Sequence, residues 1–340
     1  MTKEQERRKR IRMAKKFSYS KLNTYDSCGF KYYLSYVLGN FISGESIAID
    51  LGVLIHYVEE SIFNSLKEGE EVDYDHWKEF LQNANIPKKS KFDTDGGIFG
   101  LNILKEKYKE DYYKTDNNGQ SYYTKMLDYI SSGIYRLETY LNENPTLKPF
   151  AAEKFFSFTY RDQVFSGYID RIFYDTAADE YIIEDIKTKG KPFKDEELVT
   201  PLQFVIYMKG LNECLEIPLE KMKCAYDLPI LGIKQKAGTP GFFQRGMRKI
   251  DSLFDKIESE DFAPHASPLC AWCQYSSSNP GVTEEGKYLC PYHSLWSREN
   301  KTREVSHKWR GVDFVAEDQA DEKAKCEAQI TKEEEIDFDL

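Results

Sequence analysis

The chain has 340 residues and a formal net charge of -10, from 57 Asp and Glu against 47 Lys and Arg. Hydrophobic residues at 41% and aromatics at 14%, with 24 Tyr and 21 Phe, exclude a disordered, collagenous or coiled-coil chain and leave ample length for a large core. No window approaches the roughly 18 apolar residues of a membrane span, and the N-terminal charges have no apolar stretch behind them, so no membrane partner and a cytosolic location are expected.

In chain order, residues 1–16 are basic, with eight Lys or Arg against two Glu. From Phe17 to Val37, apolar and aromatic residues recur at steps of three and four, which predicts a helix with Ser20 as its N-cap. A second helix is expected over Ala48 to Leu66, with Leu51, Leu54, Ile55, Val58, Ile62, Phe63 and Leu66 on one face. Residues 67–120 read as a polar helical insertion containing Tyr74 to Leu81 and Gly100 to Tyr113, and Tyr122 to Leu141 as one further helix. The period then changes: FFSFTY, QVFSGYIDRIFYD and EYIIEDIKT read as three consecutive strands. A helix from Leu198 to Leu215, a strand from Met222 to Ile230 and a helix from Gly241 to Glu258 complete an α/β pattern with a mixed sheet flanked by helices. A cysteine-bearing segment follows at 264–296. Residues 311–340 hold eleven acids against three Lys and read as a disordered tail. The two charged ends leave the middle of the chain only mildly acidic, so net charge does not exclude a DNA-binding groove.

The segment G167-Y-I-D170 with E184-D185-I-K187-T188 carries the chemistry. Asp185 and Lys187 are two apart on a strand and leave the same face, and a neighbouring strand brings Asp170 beside them. Two carboxylates suit Mg²⁺ or Mn²⁺, and a lysine beside a metal-bound water orients it for attack on phosphorus. An isolated D-x-K is more often a solvated ion pair, so the other residues decide. His56, at the end of Gly52-Val-Leu-Ile-His56, offers a nitrogen ligand compatible with Mn²⁺, although a lone histidine there also reads as a half-buried packing residue. Gln203 and Tyr207 lie at i and i+4 and share a helix face.

Together with S18-Y-S20-x-L22-x2-Y25-x2-C28-x3-Y32 and the cysteines, these motifs resemble, in type and order over residues 17–296, the PD-(D/E)XK nuclease superfamily. Within it they resemble the RecB-like exonucleases and the CRISPR-associated adaptation nucleases. The resemblance implies a restriction-endonuclease-like core over residues 17–263 and a bacterial or phage-infected cell. It implies metal binding by His56, Asp170 and Asp185, action of Lys187 on the nucleophilic water, and Gln203 and Tyr207 lining the site. Glu153, before the first strand of the meander, matches a further acidic position more loosely. The implied activity is exonucleolytic cleavage of single-stranded or end-exposed DNA in repair, recombination or phage DNA metabolism. The rivals are a non-catalytic DNA-end-binding scaffold of the same fold and a zinc-stabilised protein-interaction module.

Seven cysteines without a secretory context point to metal ligation. In the resembling enzymes one N-terminal and three C-terminal cysteines hold a 4Fe-4S cluster, which implies Cys28, Cys270, Cys273 and Cys290 here. The spacing C270-x2-C273-x16-C290-x2-H293 also suits Zn²⁺ with His293 as fourth ligand. Both stay open. The tail, ending E333-E-E-I-D-F-D-L340, suggests docking of a replication or recombination protein on its few apolar residues.

Overall fold

The computed structural model describes residues 16–42, 46–87, 97–115, 119–265, 267–276 and 290. The basic residues 1–15, His293 and the acidic tail lie outside them.

The stretch expected as one helix from Phe17 begins with a two-residue strand, β1 (Lys16–Phe17), followed by α1 (Tyr19–Ser27), the single turn α2 (Gly29–Tyr32) and a π-helical turn at Tyr33–Val37. Ser18, not Ser20, caps α1, accepting from the N–H of Lys21 at 3.2 Å. The break falls at Cys28, whose extended backbone (φ -164°, ψ 113°) ends α1 and caps α2. Helical periodicity does not register a residue that serves both ends at once. α3 (Ile47–Glu68) follows, capped by Ser46 and closed by Gly69 at φ 72°. Its predicted stripe is buried: Leu54, Ile55, Val58 and Phe63 are fully inaccessible, each worth about 1.5–3 kcal/mol of transfer free energy.

Next come α4 (Tyr74–Asn83), the small ribbon of β2 (Asn85–Ile86) and β3 (Ile98–Phe99), α5 (Leu101–Tyr108) and α6 (Glu110–Tyr113), the last two parted at Lys109, φ 40°. The helix expected over Tyr122 to Leu141 is two, α7 (Tyr122–Ser131) and α8 (Arg136–Glu143). The hydroxyls of Ser131 and Ser132 both donate to the carbonyl of Asp128, competing with the helical ladder, and a 3₁₀ turn at Gly133–Tyr135 intervenes. The meander is β4 (Leu147–Tyr160), β5 (Gln163–Asp175) and β6 (Glu180–Ile186). Glu153 therefore sits inside β4, at φ 42°, rather than before the first strand. The helix expected from Leu198 splits at Pro201 into α9 (Asp195–Val199) and α10 (Leu202–Leu215). After β7 (Met222–Leu228), an unanticipated strand β8 (Ile233–Ala237) precedes α11 (Phe242–Glu258). β8 is IKQKA, polar enough to read as loop, yet it pairs as an edge strand beside β7.

Two compact units share the described residues. One takes in 16–42, 159–165 and the stretch from Arg248 onward; the other 46–158 and 166–247. In the first, β1 pairs in parallel with Val164 and Phe165, and the rings of Phe17, Phe165 and Phe254 meet at 4.8–5.8 Å. Tyr25 donates its hydroxyl to the carbonyl of Asp261 at 2.5 Å. A Cβ at Gly29 would stand 2.9 Å from the carbonyl oxygen of Ala263, so only glycine lets these two backbones approach.

The second unit is built on the sheet. β5 pairs antiparallel with β6, β6 parallel with β7 and β7 antiparallel with β8, while β4 pairs with β5. This is the expected mixed sheet flanked by helices. α3, with Leu81, Leu104, Met126, Tyr129, Leu137 and Phe173, forms its main apolar core. α10 lies close over β4, where a Cβ at Gly210 would fall 2.5 Å from the ring of Phe156.

Candidate active site

The register of β5 against β6 sets the site. Arg171 and Glu184 are Cα partners in the ladder. Side chains alternate along a strand, so their neighbours Asp170 and Asp185 leave together on the other face. The backbone N–H of Ile186 donates to Asp170 Oδ2 at 2.6 Å, which fixes that carboxylate at the end of β6.

His56 Nδ1 stands 3.8 Å from Asp170 Oδ2. Among the described residues, His56, Glu153 and Asp170 bring ligand atoms within 4.8 Å of one another. An imidazole and two carboxylates form a donor set suited to Mg²⁺ or Mn²⁺, so the residues present fit a divalent cation. Glu153, the looser expectation, thus belongs to the tightest group. Gly52, one turn before His56, keeps α3 close to the strand exit, since a Cβ there would meet Thr188 Oγ1 at 3.3 Å.

Asp185 is buried (1% exposed) and held by three side chains. Its Oδ2 faces Lys187 Nζ at 2.5 Å, and its Oδ1 accepts from Gln203 Nε2 at 2.6 Å and from the Tyr207 hydroxyl at 3.1 Å. Gln203 Nε2 also donates to the Tyr207 hydroxyl at 2.8 Å. The i, i+4 pair on α10 therefore converges on Asp185 rather than on the His56 group. His56, Glu153, Asp170, Asp185 and Lys187 thus fall in one neighbourhood of the second unit.

The charges are uncomfortable there. Burial, then the carboxylates of Asp170, Glu60 and Asp185, push the Glu153 carboxyl up to about 7. Burial raises Asp185 to about 6 against the opposing pull of Lys187, and raises Asp170 as well. His56 moves the other way: burial lowers it and favours the neutral, ligand-competent imidazole.

Behind the site lies a cluster that sequence reasoning missed. Arg171, wholly buried, meets Glu59 at 2.7 Å, Glu184 at 3.1 Å and Asp227. Arg136 reaches Asp227 at 2.6 Å, Lys234 reaches Glu184 at 2.5 Å, and the Tyr129 hydroxyl donates to Glu59 at 2.8 Å. Three cations thus face three carboxylates. The available signal was Arg171 and Glu184, charged residues each beside a site aspartate in an otherwise apolar strand.

In the first unit Cys28, Cys270, Cys273 and Cys290 all line one cavity of about 210 Å³. Cys28 Sγ accepts from the N–H groups of His265 at 3.3 Å and Lys31 at 3.5 Å, and Cys270 Sγ from Ser267 at 3.5 Å. At Cys270 and Cys273 burial outweighs the backbone N–H donors and pushes the thiols above their ordinary value. No three of the four sulfurs lie mutually within 4.8 Å. Cys224 is buried elsewhere and Cys214 is exposed, in keeping with incidental roles.

No curated protein sequence matches the chain. A solved structure of a "Putative exonuclease" from Eubacterium rectale is 12% identical over 76% of this chain and 86% of that one, with a TM-score of 0.39. The sequence model of the PD-(D/E)XK nucleases matches residues 16–278, a span that contains every site residue described above except Cys290. With the match covering most of its length, the chain belongs to the PD-(D/E)XK nuclease superfamily.

Proposed function

We propose that the protein is a divalent-metal-dependent DNA nuclease, a RecB-like exonuclease hydrolysing phosphodiester bonds of single-stranded or end-exposed DNA. The observation that carries this reading is the convergence of His56, Glu153 and Asp170 beside the Asp185–Lys187 pair. His56, Glu153, Asp170 and Asp185 would hold Mg²⁺ or Mn²⁺, which supplies a lower pKa for bound water and screens the phosphate charge. Lys187, paired with Asp185 at 2.5 Å, would orient the attacking water with its ammonium. Gln203 and Tyr207 hold Asp185 in place through Oδ1. Ile186 does the same for Asp170 through its N–H. Displacement at phosphorus is in line, with no covalent enzyme intermediate.

For the cysteines, the proposal is a 4Fe-4S cluster held by Cys28, Cys270, Cys273 and Cys290. The lining of one cavity by all four cysteines, Cys28 among them, supports this reading, since the zinc alternative leaves Cys28 out. The zinc alternative needs His293, outside the described residues. The cluster's role is structural, tying α2 to the segment after Phe262. A role in repair, recombination or phage DNA metabolism, and a replication partner for the tail, belong to the same proposal.

The test is incubation of purified protein with end-labelled single-stranded and duplex DNA in Mg²⁺, Mn²⁺ or chelator. Metal-dependent release of nucleotides from ends is expected. Binding to ends with no cleavage in any metal would favour the scaffold alternative.

A further inference from the structure

The second unit also holds a cavity of about 560 Å³ whose lining includes four lysines: Lys114, Lys125, Lys189 and Lys191. Asp111 is the one carboxylate among its lining residues. In a chain whose acids outnumber its bases by ten, this local reversal calls for an anion. The cavity is also built at two helix starts. Ser46 and Ile47 open α3, and Tyr122 and Lys125 lie in the first turn of α7. Backbone N–H groups and helix dipoles there add to the lysine field. Lys125 is itself only 7% exposed, and its Nζ lies over Gly190, where a Cβ would come to 2.7 Å. Glycine at 190 therefore makes room for a buried ammonium at the cavity wall. Lys189 is steadied on the ring of Phe193, its Nζ 3.5 Å from the centroid.

Two chain segments tie the cavity to the reacting groups. Lys189 and Lys191 follow Lys187 by two and four residues. α3 starts at the cavity with Ser46 and reaches the metal ligands at His56, ten residues and about 15 Å along its axis. At about 3.4 Å per nucleotide of a helical strand, that is about four nucleotides, fewer where the strand is stretched.

We propose that this lysine-lined cavity binds a backbone phosphate of the substrate strand a few nucleotides from the scissile bond, with α3 setting the distance. The inference rests on the nuclease reading and supplies its strand-anchoring site. Anchoring away from the reacting phosphate spends binding on register, so the cavity governs affinity and processivity rather than the chemical step.

The test uses the full chain with Lys114→Ala/Lys191→Ala, two exposed positions outside the reacting groups, and Lys114→Arg/Lys191→Arg as the charge-conserving control. Binding of a fluorescent single-stranded 12-mer is measured by anisotropy in Ca²⁺ across salt concentrations. Losing that one phosphate contact should reduce the log–log salt slope by about 0.7, so that over a tenfold rise in salt the wild type loses about 5-fold more affinity than the alanine variant. The arginine variant should keep the wild-type slope. Turnover of bis(p-nitrophenyl) phosphate, too small to reach the cavity, should be the same in all three. An unchanged slope in the alanine variant, or an equal loss on the small ester, overturns the proposal. So does an effect confined to 5′-phosphorylated 12-mers, which would make the cavity a terminal-phosphate site. A wild type that hydrolyses neither substrate counts against the nuclease reading alone, because the binding arm still tests the cavity.

Discussion

The N–H of Ile186 donates to Asp170 Oδ2 at 2.6 Å, so the backbone of β6 aims the carboxylate carried by its neighbour β5. Asp185, the residue before Ile186, meanwhile points its own carboxylate to Lys187, Gln203 and Tyr207. One strand end thus positions both aspartates, one through a main-chain donor and one through its side-chain partners.

Asp185→Asn and Lys187→Ala should each lower DNA cleavage by roughly 10²–10⁴-fold, the usual worth of a positioned proton-transfer or charge-stabilising group. Circular dichroism should remain that of the folded protein. Because Asp185 is a buried acid among other carboxylates, Asp185→Asn should melt at the same temperature as the wild type or higher in chelator. Cleavage that survives both substitutions would contradict the assigned site.

Stability without metal should carry the signature of Glu153. Its carboxyl titrates near 7 when folded, against an ordinary value near 4.5. Between those values the folded protein keeps a proton that the unfolded chain has released, so this group's contribution to stability falls as pH rises from about 4.5 to about 7. His56 works with the opposite sign, its lowered value making stability rise with pH toward 6.5. Subtraction isolates Glu153: the wild type minus Glu153→Gln should show the decline in thermal melts with chelator. A pH-independent difference would contradict the burial of that carboxyl.

Arg171→Met should cost about 3–5 kcal/mol in urea denaturation, since it leaves Glu59, Glu184 and Asp227 buried with one fewer cation. A loss below about 1 kcal/mol would mean that the three carboxylates are satisfied by other means.

Much of this was legible in the residues. The apolar stripe of α3, the meander and the order Gly52–His56, Asp170, Asp185–Lys187 sufficed to place the sheet and its acids, because periods of 3.6 and 2 register burial directly. What they do not register is conformation at single residues. The double cap at Cys28, the positive φ that sets Glu153 within β4, and the breaks at Lys109 and Ser132 are invisible to periodicity. The strand β8 was missed because an edge strand needs no apolar alternation. The ion cluster around Arg171 was missed because its six charges come from six separate elements.

Anaerobically purified protein should be brown and carry about four irons per chain, and Cys28→Ser should remove the colour and lower the melting temperature. Zinc in place of iron, with Cys28→Ser tolerated and His293→Ala not, would establish the other metal.

The most direct measurement is digestion of 5′-labelled single-stranded DNA in Mn²⁺ by the wild type and by Asp170→Ala. The expected result is progressive shortening by the wild type, stopped by chelator and absent in the variant. Equal digestion by the two proteins, or digestion that persists in chelator, would contradict a metal-dependent nuclease centred on Asp170.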